Sequence, residues 1–182
     1  ARDYLVGLFS KFDSELSDMV AEAFDNAWID FYPRDGKAGG AFCAGVECIG
    51  QSRILTNFDG MLTDVVTLAH ELGHAFHNQC IRSHRQLNHD YSMPVAETAS
   101  TFNETHLGHY ALASATPEEK LSLLENDLLE KTQCIVDIYS RYLFETAVFE
   151  QSQNKFLMAD DLKEMMLNAQ NEAYGDGLDK NY

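Results

Sequence analysis

The sequence predicts a mainly α-helical protein with one small antiparallel sheet. Apolar residues recur at steps of three and four through several long segments, the signature of amphipathic helices. Between them, a Gly-rich stretch near residues 36 to 58 alternates larger and smaller residues, as paired strands do. No linker, repeat or low-complexity tract interrupts the 182 residues, so one domain over 1–182 is expected, burying roughly 70% of its unfolded surface.

Ser10 precedes Phe12, Leu16, Met19, Val20, Ala23, Phe24, Ala27 and Trp28 at helical steps, with Asp13 at the capping-box distance, which predicts the first helix. After Pro33 comes the stretch from Gly36 to Gly50, in which Phe42, Ala44 and Val46 alternate with smaller residues. Ile54, Thr56 and Phe58 alternate in the same way, predicting an antiparallel pair that Gly60 ends. From about Thr63 to Cys80, Val65, Val66, Leu68, Leu72, Ala75 and Phe76 have helical spacing, with Thr63 or Asp64 available as N-cap. Residues 82 to 93 read as a polar connection. Pro94 then stands at a typical first helical position, opening a helix to about residue 113.

Thr116, Pro117 and Glu119 form a capping box with Pro at the first helical position, the start of a long helix to about Gln153. Its buried stripe would be Leu121, Leu124, Leu128, Ile135, Ile138 or Tyr139, Tyr142 and Phe149. A last helix, about 160 to 174, stops at Gly175.

A formal net charge of -16 with no Lys/Arg cluster argues against nucleic acid and favours a cationic or neutral partner. No run of 18 apolar residues is present, and the N-terminus lacks a basic and apolar leader. No membrane partner is expected, and the cytoplasm is the expected compartment. Cys43, Cys48, Cys80 and Cys134 show no C-x-x-C spacing and read as reduced, mostly buried thiols.

His70, Glu71, Leu72, Gly73 and His74 spell H-E-x-x-H inside the helix predicted over 63 to 80. Two imidazoles four residues apart lie on one face and can reach a single Zn²⁺, and Glu71 can then act as general base on a water there. Such a site needs a third protein ligand and leaves the fourth position for water. The candidates are His77, His84, His89, Glu97, Glu104, His106 and His109. His77 lies one turn beyond His74, where its ring points along the axis, and reads as a packing or cleft-wall residue. The longer pattern H-E-x-x-H-x-x-G-x-x-H is excluded, because His77 stands at its Gly and Cys80 at its last His. Glu97 and Glu104 share a helical face with Thr101 between them. One could bind metal while the other, hydrogen-bonded to a ligand His, fixes its tautomer, and spacing leaves the order of roles open.

The string T-L-A-H-E-L-G-H-A-F-H from Thr67, followed by P-V-A-E-T-A-S-T-F-N-E from Pro94, resembles the oligoendopeptidase F group of thimet-oligopeptidase-like zinc metallopeptidases. G-K-A-G-G-A-F-C at Gly36 and R-I-L-T-N-F at Arg53 resemble that family's substrate-edge strand and its neighbour, and Y-G-D-G-L-D-K-N-Y at Tyr174 matches as well. The resemblance covers nearly all of the chain. It implies a zincin-like metallopeptidase core in which His70, His74 and Glu97 hold one zinc per chain, Glu71 is the catalytic base and Glu104 supports a ligand. It further implies short peptides as substrates, paired along Gly40, Ala41, Phe42, Cys43 and Ala44 by β-addition, with His77 on the cleft wall.

Members of that family are several-fold longer, with a helical region upstream and a C-terminal stretch whose His and Tyr residues stabilise the oxyanion. This chain opens at Ala1 without Met and stops at Tyr182, just before that stretch. It is therefore expected to be a catalytic-core fragment, competent for zinc but weak or inactive alone, whose partners include the missing regions of the same protein. Self-association through the apolar surface those regions would cover is also expected. The rival reading is a zinc-binding module without catalysis; Glu71 weighs against it, since a structural site needs ligands but no base.

Overall fold

The predicted first helix starts later than expected, and a helix that the sequence reading did not foresee precedes it. In the computed structural model, which describes residues 1–179, α1 spans Arg2–Phe9 and α2 spans Ser14–Asp25. The sequence reading puts Asp13 inside a helix begun at Ser10. Instead its carboxylate accepts the Leu16 N–H at 2.9 Å and caps α2. Ala27, at φ 55, turns the chain out of α2, so Trp28 leads into a strand.

The described residues fall into two compact units that divide between Ser114 and Ala115. In the first, strands β1 (Ile29–Asp30), β2 (Phe42–Val46) and β3 (Gln51–Leu55) form a sheet in the order β1-β3-β2. The expected antiparallel pair is β2 and β3, with Cys43 opposite Ile54 and Gly45 opposite Ser52. The two-residue β1, parallel to β3, makes the sheet mixed rather than purely antiparallel; two residues are too few to show a period. Phe58 falls beyond the strand. Gly40 and Ala41 lie in the approach to β2, where the Asn57 side-chain amide donates to the carbonyls of Ala38 and Gly40, both at 3.0 Å. The Lys37 ammonium, 1% exposed, donates to the Asp30 and Tyr32 carbonyls at 3.0 and 2.9 Å and pins the preceding turn.

Helix α3 (Leu62–Ile81) is capped at Met61 and starts two residues earlier than a Thr63 cap, or three earlier than an Asp64 cap, would set it. Asp64 lies in its first turn, with one carboxylate oxygen accepting the N–H groups of Asp59, Gly60 and Met61, each at 2.9 Å. Leu68, Ala69, Leu72 and Ala75 bury one face of α3 with Leu5, Leu8 and Phe9 of α1, Leu16 and Val20 of α2, and Ile54. After a 3₁₀ turn at Gln86–Asn88, α4 (Met93–Ser114) packs along α3. Its buried stripe is Ala96, Ser100, Asn103 and Leu107, at steps of four, three and four.

The second unit holds α5 (Pro117–Thr132), a π-helical segment at Gln133–Asp137, α6 (Ile138–Ser152) and α7 (Ala159–Tyr174). Thr116 and Glu119 cap α5 reciprocally, as their spacing predicts. Asp137 ties the π segment to α7 by accepting the Tyr174 hydroxyl at 3.0 Å. The expected buried stripe is exposed: Leu121, Leu128, Ile135 and Phe149 are 64 to 72% accessible, and Leu124, Ile138, Tyr139 and Tyr142 are exposed too. Periodicity sets the helix, whereas burial needs a packing partner, and α7 buries only Met165 and Ala169 in this unit.

The cysteines are free but not mostly buried. Cys43 is half-buried, while Cys48 in the β2–β3 turn, Cys80 at the end of α3 and Cys134 in the π segment are exposed. Among the described residues no helix is long and apolar enough to cross a membrane.

Candidate metal centre

Helical spacing puts His70 and His74 on one face of α3, their Nε2 atoms 3.2 Å apart and their rings nearly perpendicular at 83°. From α4, Glu97 Oε2 approaches to 3.3 Å from His70 Nε2 and 3.6 Å from His74 Nε2. Among the described residues these three form the one cluster able to hold a metal ion, with donor atoms all within 4.8 Å of one another. Three lone-pair atoms this close repel one another unless a cation or a proton lies among them.

Around this trio neighbouring side chains set the orientation of the rings and the carboxylate. Glu104, two turns along α4 from Glu97, bonds His70 Nδ1, which raises the His70 pKa and keeps Nε2 turned toward Glu97. His74 shifts the other way, because burial and the nearby His70 charge disfavour its protonated form. The Ser100 hydroxyl donates to Glu97 Oε2 at 2.8 Å. Glu71, 5% exposed, has its pKa raised first by burial, and its Oε2 is buried without a hydrogen-bond partner.

The close approach of the helices has a simple cause. A Cβ on Gly73 would lie 2.7 Å from the Ala99 carbonyl oxygen, so only glycine lets α4 lie against α3 there. One step along, Asn103, 2% exposed, donates to the Ala69 carbonyl at 3.2 Å.

The remaining histidines stand apart from this cluster. His77 packs its ring on Tyr91 at 4.4 Å, with Nδ1 buried and unpartnered. His89 pairs with Glu47 at 3.4 Å, and His106 sits among Phe9, Phe12 and Phe102. His84 and His109 are exposed. Of the strand residues singled out, Phe42 and Ala44 are exposed on β2, an edge strand whose far side has no neighbour in the sheet. Cys43 points toward Ser52 and Glu71, and burial pushes its thiol up to about 12. Sequence reading did not find Gly73, Ser100 and Asn103; the available signal was small and polar residues at core spacing on α4, matched to a glycine on α3.

The model of peptidase family M3 matches residues 8–182. The chain belongs to that family. Among M3 relatives it is 34% identical over 131 residues to the oligopeptidase PepF of Bacillus subtilis (strain 168), covering 71% of this chain and 19% of that protein. It is 31% identical over 165 residues to the chromosomal oligoendopeptidase F of Lactococcus lactis subsp. cremoris, covering 90% of this chain and 27% of that one. A crystal structure from Bacillus anthracis str. Ames, assigned as an oligoendopeptidase F, shares the fold, with a TM-score of 0.80 at 20% identity over 97% of this chain and 32% of that chain. The M3 chain described here thus spans about a third or less of each of these relatives. The end of the motif that starts at Tyr174, Lys180 to Tyr182, lies outside the described residues.

Proposed function

We propose that this M3 chain is the zinc-binding catalytic core of an oligoendopeptidase F-type enzyme that hydrolyses peptide bonds in short peptides. The observation that carries this reading is the convergence of His70 Nε2, His74 Nε2 and Glu97 Oε2 beside the buried carboxylate of Glu71. Ligands held at about 2.1 Å in tetrahedral geometry stand roughly 3.4 Å apart, and the observed spacings of 3.2, 3.3 and 3.6 Å fit that set. Two imidazoles and one carboxylate with a fourth position open are a catalytic zinc donor set.

Bound there, zinc supplies Lewis-acid polarisation of the scissile carbonyl and makes water more acidic. Glu71 takes the proton as the water oxygen bonds to the carbonyl carbon, and passes it to the amine nitrogen as the C–N bond breaks. Its burial suits both steps by making the carboxylate more basic than an exposed one. Glu104 holds the His70 ring with Nε2 free to bind metal. The open edge of β2, with the approach at Gly40 and Ala41 and with Phe42, Cys43 and Ala44, would take an extended peptide as an added strand. His77 would line the wall of the same cleft.

Elemental analysis of the purified chain tests the reading. About one zinc per chain, lost in Glu97→Ala, is the expected result. No metal in the unaltered chain would sink it, and zinc retained in the variant would take the third-ligand role from Glu97.

A further inference from the structure

Ser100 is fully buried at 0% exposure, on the face of α4 that lies against Gly73. Its hydroxyl is within hydrogen-bond distance of two oxygens of the same residue, the Glu97 carbonyl at 2.9 Å and Glu97 Oε2 at 2.8 Å. A hydroxyl has one proton to give. The Glu97 carbonyl already accepts the Thr101 hydroxyl at 2.7 Å, in addition to the helical N–H four residues on. The Ser100 proton is therefore free for the carboxylate, and Oε2 is the oxygen that faces both imidazoles.

Glu97 needs such a hold. Its side chain is 42% exposed, and a flexible carboxylate at the edge of a cleft samples several rotamers. A donor fixed in the interface of α3 and α4 selects one of them. Gly73 is what brings the backbone carrying that donor up to α3, since a Cβ there would stand 2.8 Å from the Ser100 Cα.

We propose that Ser100 is a positioning residue for the metal centre, setting the Glu97 carboxylate as third ligand through a hydroxyl sealed between α3 and α4. The proposal rests on the metal reading above and concerns how the site is preorganised. Removing a group that orients a ligand typically costs 10- to 100-fold in metal affinity.

The test is zinc affinity of the 182-residue chain, measured by competition with a chelator, together with melting of the metal-free forms. Ser100→Ala removes one oxygen and favours helix, so its metal-free melting is expected to match the parent while zinc binds about 10- to 100-fold more weakly. Thr101→Ala, whose hydroxyl reaches only the Glu97 carbonyl, is expected to bind zinc as the parent does. In a Glu97→Ala background, where no side-chain oxygen is left to position, adding Ser100→Ala is expected to lower the residual zinc affinity no further. If the parent binds no zinc, the metal reading fails and this inference with it. If the parent binds zinc and Ser100→Ala binds it equally well, the inference alone fails. An equal further loss in the Glu97→Ala background, or a matching drop in metal-free melting, would assign Ser100 to packing and overturn its positioning role.

Discussion

A Cβ on Gly73 would stand 2.7 Å from the Ala99 carbonyl oxygen, closer than side chains approach backbone, so the separation of α3 and α4 is set at this one residue. Gly73→Ala forces the helices apart. Ala raises helix propensity, but overpacking against backbone costs about 1–3 kcal/mol, and the packing term wins. Urea unfolding is expected to show a lower midpoint with unchanged slope. A variant as stable as the parent would mean that the helices separate at no cost.

The proposed mechanism makes Glu71 the residue on which catalysis, as distinct from metal binding, depends. In a protein of the relatives' full length carrying this site, Glu71→Gln is expected to keep zinc and lose on the order of 100- to 10,000-fold in peptide turnover, the range for a general base. Equal turnover in both forms would remove Glu71 from that role.

Burial sets the reactivity of Cys43. Its thiol is pushed up to about 12, first by desolvation, so thiolate is scarce at neutral pH. Cys48 and Cys134 are exposed. Time-resolved alkylation of the folded chain with iodoacetamide, followed by peptide mass mapping, is expected to label Cys48 and Cys134 well before Cys43. Labelling of Cys43 at the pace of Cys48 would contradict the burial of its thiol.

Asp30 gives a pH dependence whose sign follows from its partners. The Arg34 guanidinium, in a two-bond pairing at 2.7 and 2.8 Å, and then the Lys37 ammonium hold its carboxyl down from 3.8 to about 2. A folded pKa below the unfolded one means the ionised form favours folding. The contribution is therefore complete above about pH 4 and is lost as pH falls through about 2. Carboxyl NMR is expected to place the Asp30 midpoint near the lower figure, and Arg34→Ala to move it upward. No upward movement in the variant would show that the pairing does not form in solution.

The local features were legible because each needs only neighbours in sequence. Thr116 and Glu119 cap α5 from three residues apart, Gly175 ends α7 at φ 60, and the alternation around Phe42 and Ile54 gives the β2–β3 pair. The i,i+4 spacing of His70 and His74 puts both imidazoles on one face before any packing is known. Resemblance, rather than spacing, singled out Glu97 among seven candidate ligands.

What depends on distant partners was not legible. Leu121, Leu128 and Phe149 have core periodicity yet lie exposed, because burial requires another element to cover them. Ser100 and Asn103 are polar residues that sit in the interface of α3 and α4, because their hydrogen bonds to Glu97 and to the Ala69 carbonyl satisfy them there. The sequence by itself determined the helices from α3 onward, the β2–β3 pair and the two imidazoles on one face, since neighbours along the chain dictate them. Only the tertiary structure decided that Glu97 closes on those imidazoles and that Ser100 and Glu104 hydrogen-bond to the cluster. That geometry is set by how closely Gly73 lets two helices approach, a contact between residues 26 and 27 positions apart that no local pattern encodes.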